Sequence, residues 1–229
     1  MNITENILEI KENINRALIR SGRKDKVTLI AVSKTVPEER ILEAYNAGHR
    51  TFGENRVQEW QKKSKLLPAD CEWHLIGRLQ TNKVKYLDES VALIHSLDRF
   101  SLLERLNEQG EKKQIVWNTL VQVNVAEDQA KAGLAVEEVK DFLETARDYP
   151  FVQISGLMTI GRLDASPQET RGFFRKLREI RDELIKQQVI AEDKMFHLSM
   201  GMSQDYEIAI EEGATLVRIG SSIFGKRMD

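Results

Sequence analysis

The sequence predicts an α/β protein of the (β/α)8, or TIM-type, barrel class, built as a single domain with an extra N-terminal helix. Three observations carry that prediction. Eight short apolar runs alternate with longer amphipathic ones. The runs are apolar on both parities, as parallel strands covered by helices are. No low-complexity linker or break in composition divides the 229 residues, a length near the roughly 250 of such barrels. An open doubly wound sheet is the competing arrangement, and a count of eight strands favours closure.

The elements follow in order. Residues 1–22, MNITENILEIKENINRALIRSG, read as an amphipathic helix that would cap the barrel or pack beside it, ahead of a barrel over 27–225. The strands are expected at 27–34 (VTLIAVSK), 51–55 (TFGEN), 72–77 (EWHLIG) and 92–98 (ALIHSLD). The other four are expected at 119–125 (TLVQVNV), 153–160 (QISGLMTI), 196–201 (FHLSMG) and 215–225 (TLVRIGSSIFG). PEERILEAYNAG places Pro37 at an N1-like position and Gly48 past the end, the usual asymmetry of helix boundaries. RVQEWQKKSKLL, DRFSLLERLNEQG, AVEEVKDFLETARD, SPQETRGFFRKLREIRDELIKQQ and SQDYEIAIEEG space their apolar residues helically. QTNKVKYLD, after the third strand, is short and weak.

Composition excludes several function classes. The net charge of -2, from 34 basic and 36 acidic residues, offers no electrostatic case for nucleic acid. Cys71 is the only cysteine, so neither a disulfide framework nor a thiolate metal site is expected. The four histidines lack ligand spacing, so no metal is expected. The N-terminus has no apolar h-region and is not read as a signal peptide. No stretch reaches the roughly 18 apolar residues of a membrane span. A cytoplasmic, monomeric protein is expected.

In a barrel the chemistry gathers at the C-terminal strand ends. Those ends hold Lys34, Asn55, Gly77-Arg78, Asp98, Asn124, Thr159, Ser199, Arg218 and Gly220-Ser221-Ser222. Alternation puts Lys34 on one face with Val32, Ile30 and Thr28, and Arg218 with Leu216 and Gly220. A lysine at a dry barrel edge has a lowered amine pKa and can form a Schiff base; a solvated loop lysine is the plainer alternative. SMGMSQD and RIGSSIFG fall in the loops where barrels often bind phosphate, with glycines admitting an anion to backbone amides. Ordinary Gly/Ser turns are the alternative there. Arg218, inside an apolar strand, needs a partner, either a carboxylate or a ligand heteroatom. Lysine, anion cup and arginine together match pyridoxal 5′-phosphate: imine, phosphate site and pyridine-nitrogen partner.

The sequence resembles the pyridoxal-phosphate homeostasis protein family, relatives of the barrel domain of bacterial alanine racemase. The resemblance runs through AVSKT (31–35), FGENRVQE (52–59), WHLIGRLQTNK (73–83), VNVAEDQAKAG (123–133), GLMTIG (156–161) and HLSMGMSQDYEIAIEEGATLVRIGSSIFG (197–225). It implies a barrel carrying the cofactor on Lys34, with contacts from Asn55, Met158, Ser199, Arg218, Gly220 and Ser221, and His74 near the ring. It also implies a role in storing, buffering and delivering the cofactor, through transient meetings with cofactor-dependent apo-enzymes.

Residue chemistry favours a carrier over a catalyst. An arginine leaves the pyridine nitrogen unprotonated and weakens carbanion stabilisation. A racemase needs a second base on the opposite substrate face; in alanine racemase that base comes from an additional domain, for which no room is expected before Asp229. Tyr45, Tyr86, Tyr149 and Tyr206 qualify only by type, and His74 reads equally as a core histidine. The alternatives are a weak amino-acid racemase, a cofactor-free Schiff-base aldolase binding a sugar phosphate, and a protein-binding module. Asn55 also reads as a helix N-cap, Lys131 as a loop lysine or second aldehyde-reactive amine, and Trp60, Trp73 and Trp117 as packing residues.

Overall fold

All eight expected strands form, and they close. The computed structural model describes residues 2–128, 132–162 and 164–225; Lys131 lies outside them. The strands are β1 (Thr28–Val32), β2 (Thr51–Glu54), β3 (Glu72–Leu75), β4 (Val91–Leu97), β5 (Trp117–Gln122), β6 (Val152–Met158), β7 (His197–Ser199) and β8 (Leu216–Ile219). Every neighbouring pair is parallel, and β1 pairs with β8 to complete a closed barrel. The open sheet is thereby excluded.

The helices are α1 (Ile3–Arg20), α2 (Glu38–Asn46), α3 (Val57–Leu66), α4 (Phe100–Lys113), α5 (Val139–Ala146), α6 (Pro167–Lys186), α7 (Tyr206–Glu211) and α8 (Ser221–Phe224). The weak segment after β3 is a 3-10 helix, Thr81–Tyr86. Helix α1 packs beside the barrel, against α7, α2 and α8. Asn2 caps it, its Oδ1 accepting from the amides of Thr4 (3.0 Å) and Glu5 (3.3 Å). Its Ile3, Ile7, Ile10, Ile14 and Ala17 are buried, the helical stripe that pattern predicts.

Three expected boundaries move. Pro37 is the N-cap of α2 rather than its first residue. Arg56, not Asn55, is the N-cap of α3. The eighth strand does not run to 225: it stops at Ile219, and Ser221–Phe224 is a helical turn. The apolar pair Ile223–Phe224 prolongs the apparent strand in the sequence, but both side chains are buried among the helices instead.

Two cores result. The larger lies between barrel wall and helices and contains Trp60, Trp73 and Trp117, all buried. The smaller is enclosed by the strands: Ile30, Leu93, Leu120, Met158 and Leu216. Five apolar side chains do not fill a barrel lumen, which normally holds layers of them. The rest of the lumen is polar, and there the candidate site lies.

Candidate functional site

The polar part of the lumen is one hydrogen-bonded chain crossing four strands. His74 on β3 meets His95 on β4, Nδ1 to Nε2, at 2.9 Å. His95 Nδ1 meets Ser199 Oγ on β7 at 2.8 Å. Arg218 on β8 donates from Nη1 to the same oxygen at 2.5 Å and from Nη2 to the Thr159 carbonyl at 2.9 Å. All five residues are buried. Thr159 is itself fixed, its hydroxyl donating to the Val123 carbonyl.

The guanidinium sets the direction of the chain. Arginine only donates, so Ser199 Oγ accepts. The Ser199 proton then goes to His95 Nδ1, which leaves the His95 proton on Nε2, donated to His74 Nδ1. The reverse order would leave the Ser199 proton without an acceptor among the described residues. Burial holds Arg218 down to about 10, with the Asp205 carboxylate opposing, so it stays charged at neutral pH. Two of its five N–H donors are engaged with described residues. His74 is thus a buried histidine joined to this chain through Nδ1.

The imidazoles are held neutral. Burial lowers His74 to about 3 and His49 to about 4, and pushes His95 well below its ordinary range. The folded state thus binds fewer protons than the unfolded chain from about pH 6.5 down to about pH 4 for His49 and about pH 3 for His74. Stability from these groups is complete above pH 6.5 and lost as pH falls through that window. His49 and His74 should each cost about 2 kcal/mol at pH 5. Glu54 and Asp205, raised by burial, run the other way and reduce the total. Urea unfolding at pH 7.5 and pH 5 should show a lower midpoint at pH 5; equal midpoints would mean either that the histidines protonate in the folded state or that Glu54 and Asp205 cancel them.

Lys34 sits in the turn that follows β1, half-buried. Ile30 on that strand pairs with Arg218, so the lysine turn and the arginine rise on neighbouring strands. The residues beside Lys34 are anchored from the helix layer. Ser33 Oγ donates to Glu54 Oε1 at 2.6 Å, and Lys63 of α3 donates to the Ser33 carbonyl at 2.7 Å and to Glu54 Oε1 at 2.8 Å. Lys63 and Glu54 are both buried. Removing one member of such a pair strands the other charge, which costs roughly 3–5 kcal/mol.

The other expected residues line the rim or the lumen. Asn55 borders a cleft of about 690 Å³ together with Arg56, Gly77, Arg78, Gln80 and Lys83. Its backbone is pressed against β3: a Cβ at Gly77 would lie 2.4 Å from the Asn55 carbonyl oxygen, so only glycine fits. Gly201 takes φ +93° and lets the loop after β7 fold onto α7, where a Cβ would lie 2.6 Å from that of Ala209. Gly220 and Ser221 form the β8–α8 junction, Gly220 against Val32 of β1. Met158 belongs to the apolar layer of the lumen. Ser199 lies in the lumen chain rather than in the exposed rim, its hydroxyl bound on both sides.

The sequence reading missed four residues: His95, Glu54, Lys63 and Asp205. His95 shares the parity of Leu93 in an apolar strand, the signal that singled out Arg218. Lys63 follows Val57 and Trp60 at helical spacing on the buried face of α3. Glu54 ends a wholly buried strand. Asp205 accepts from the Met202 amide at 2.6 Å and had no signal beyond its loop. Cys71 is buried, its thiol pushed up to about 11 by burial. Among the described residues no group of histidine, cysteine or carboxylate side chains could hold a metal, and no helix is long and apolar enough to cross a membrane.

Residues 6–228 match the family model described as alanine racemase, N-terminal domain. The pyridoxal phosphate homeostasis protein of Aquifex aeolicus is 48% identical over 229 residues, covering 99% of both chains. PipY of Synechococcus elongatus, solved without pyridoxal phosphate, superposes with a TM-score of 0.87 at 37% identity over 97% of this chain and 100% of that one. PipY with pyridoxal phosphate bound gives 0.84 at 38% identity over the same shares.

Proposed function

The chain belongs to the pyridoxal phosphate homeostasis protein family, and on that premise we propose that it holds pyridoxal 5′-phosphate as a Schiff base of Lys34, storing, buffering and delivering the cofactor. We assign this to residues 1–229 as one domain, acting as a cytoplasmic monomer that meets apo-enzymes transiently. One observation carries the reading. A half-buried lysine and a buried, charged arginine rise on neighbouring strands of a closed barrel.

The residues fit the cofactor. Arg218 is held by two fixed acceptors, Ser199 and the Thr159 carbonyl, and is set to donate to a pyridine nitrogen. The loops at Gly201–Ser203 and Gly220–Ser222 offer hydroxyls and amides for the phosphate, and Asn55 and Met158 complete the surround. When bound, the cofactor supplies an aldehyde that captures amines. Lys34 would supply the amine for that aldehyde, while Arg218 and the loop amides would hold the ring and the phosphate. A permanent donor at the pyridine nitrogen leaves the ring a weak electron sink, which suits holding over turnover.

The four tyrosines point the same way. Tyr45 donates to Asp70 on the outer surface, Tyr86 is exposed at the end of the 3-10 helix, Tyr149 packs on the outer core, and Tyr206 faces Asn13 of α1. The purified protein should be yellow, and borohydride should bleach the band and fix the cofactor on the peptide containing Lys34. A protein that stays colourless after incubation with pyridoxal phosphate would overturn the proposal. Robust solvent-deuterium exchange at Cα of both enantiomers of an amino acid would replace carriage with racemisation.

A further inference from the structure

The turn that carries Lys34 is held by a buried cluster with no place in the cofactor contacts above. Lys63 Nζ has three acceptors: the Ser33 carbonyl at 2.7 Å, Glu54 Oε1 at 2.8 Å and Glu59 Oε2 at 3.5 Å. They use all three ammonium protons. Glu54 Oε1 also accepts from Ser33 Oγ, and Glu59 Oε2 also accepts from the Thr35 amide at 2.9 Å. The residue before Lys34 and the residue after it are thus bound by one ammonium and two carboxylates.

Thr35 shows what the cluster does. Its φ is +61°, in the left-handed region that a β-branched residue rarely enters. Such a conformation persists only where the surroundings over-determine it. The Glu59 carboxylate supplies that constraint on one side of Lys34. On the other, the Ser33 amide donates to the Gly53 carbonyl while its hydroxyl and carbonyl are bound as described. Along this chain Ser33 faces α3, and Lys34 is the next residue.

We propose that Lys63, with Glu54 and Glu59, is a positioning group that fixes the Ser33–Thr35 turn and thereby sets where the Lys34 amine meets an aldehyde. The cluster binds Ser33 and Thr35, the residues on either side of Lys34, and so acts through the turn. An ion pair kept in the helix layer at a desolvation cost gains a reason: it converts the position of α3 into the position of one amine. This inference rests on reading Lys34 as the imine lysine.

The test uses full-length protein stripped of cofactor and mixed with pyridoxal 5′-phosphate, with imine formation followed by absorbance and melting temperature measured alongside. Glu59 is partly exposed, so Glu59→Ala should fold. Its rate constant for imine formation should fall about tenfold or more, since small misplacement of a reacting group is costly. Glu59→Gln keeps an acceptor for the Thr35 amide and should recover most of the rate. Lys63→Met should be at least as slow as Glu59→Ala where it folds; if it does not fold, Glu59→Ala decides. A purely structural role would lower the melting temperature and leave the rate constant unchanged. A wild-type rate in folded Glu59→Ala would overturn the positioning role while leaving Lys34 in place. An imine band in Lys34→Ala would instead overturn the reading beneath it.

Discussion

Lys34→Ala protein should show no imine absorbance and no borohydride-fixed cofactor, while keeping its fold. The side chain is half-buried in a turn, so its truncation opens no core cavity and should shift the melting temperature little. The turn itself is held by Ser33, Glu54, Glu59 and Lys63, none of which the substitution removes. Binding should therefore persist through the phosphate and Arg218 contacts, weakened by at least about tenfold, or about 1.4 kcal/mol. Peptide mapping of the reduced wild-type adduct separates Lys34 from Lys131, the lysine that the sequence offers as a second aldehyde-reactive amine. An imine band that survives in Lys34→Ala would move the covalent site elsewhere.

Arg218→Met is expected to have the second large effect, and it should act on affinity and stability together. Arg218 is buried and bridges β8 to β7 through Ser199 and to the end of β6 through Thr159. Without it the Thr159 carbonyl loses a charged donor, and the Ser199 hydroxyl loses the partner that orients it toward His95. Losing such bonds costs roughly 2–4 kcal/mol of stability, and losing the separate donor to the ring should raise the dissociation constant for pyridoxal phosphate about 100-fold, or about 2.7 kcal/mol. Arg218→Lys should fall between, because an ammonium cannot reproduce a planar fork that serves two acceptors and a ligand. Titration of the cofactor-stripped variants gives the affinities, and thermal melts separate them from unfolding. A folded Arg218→Met protein with wild-type affinity would remove Arg218 from the binding site.

Much of this site could be read from the chain alone, because strand ends and parity are local properties. A period of two placed Ile30 and Leu216 in the lumen, and with them Arg218. Apolar runs followed by Lys34, Asn55 and Gly220-Ser221 marked the C-terminal rim. What could not be read was pairing. Ser199 and His95 lie 104 residues apart, and Arg218 and the Thr159 carbonyl 59 apart. No spacing rule connects such residues; only closure of β8 onto β1 brings the strands around one axis. The overrun of β8 has the same origin: Ile223 and Phe224 carry apolar character that suits a buried helical turn as well as a strand.

The sequence by itself determined the barrel, the order of its elements and the side of it on which chemistry can occur. Each of these follows from hydrophobic period and turn residues within a few positions of one another. The tertiary structure decided which polar groups satisfy one another. His74 proved to be hydrogen-bonded through His95 and Ser199 to Arg218, and Lys63 proved to be buried against Glu54 beneath the Lys34 turn. Burial makes most polar atoms require a partner, and which partner is available depends on distances between elements that the chain's order does not contain.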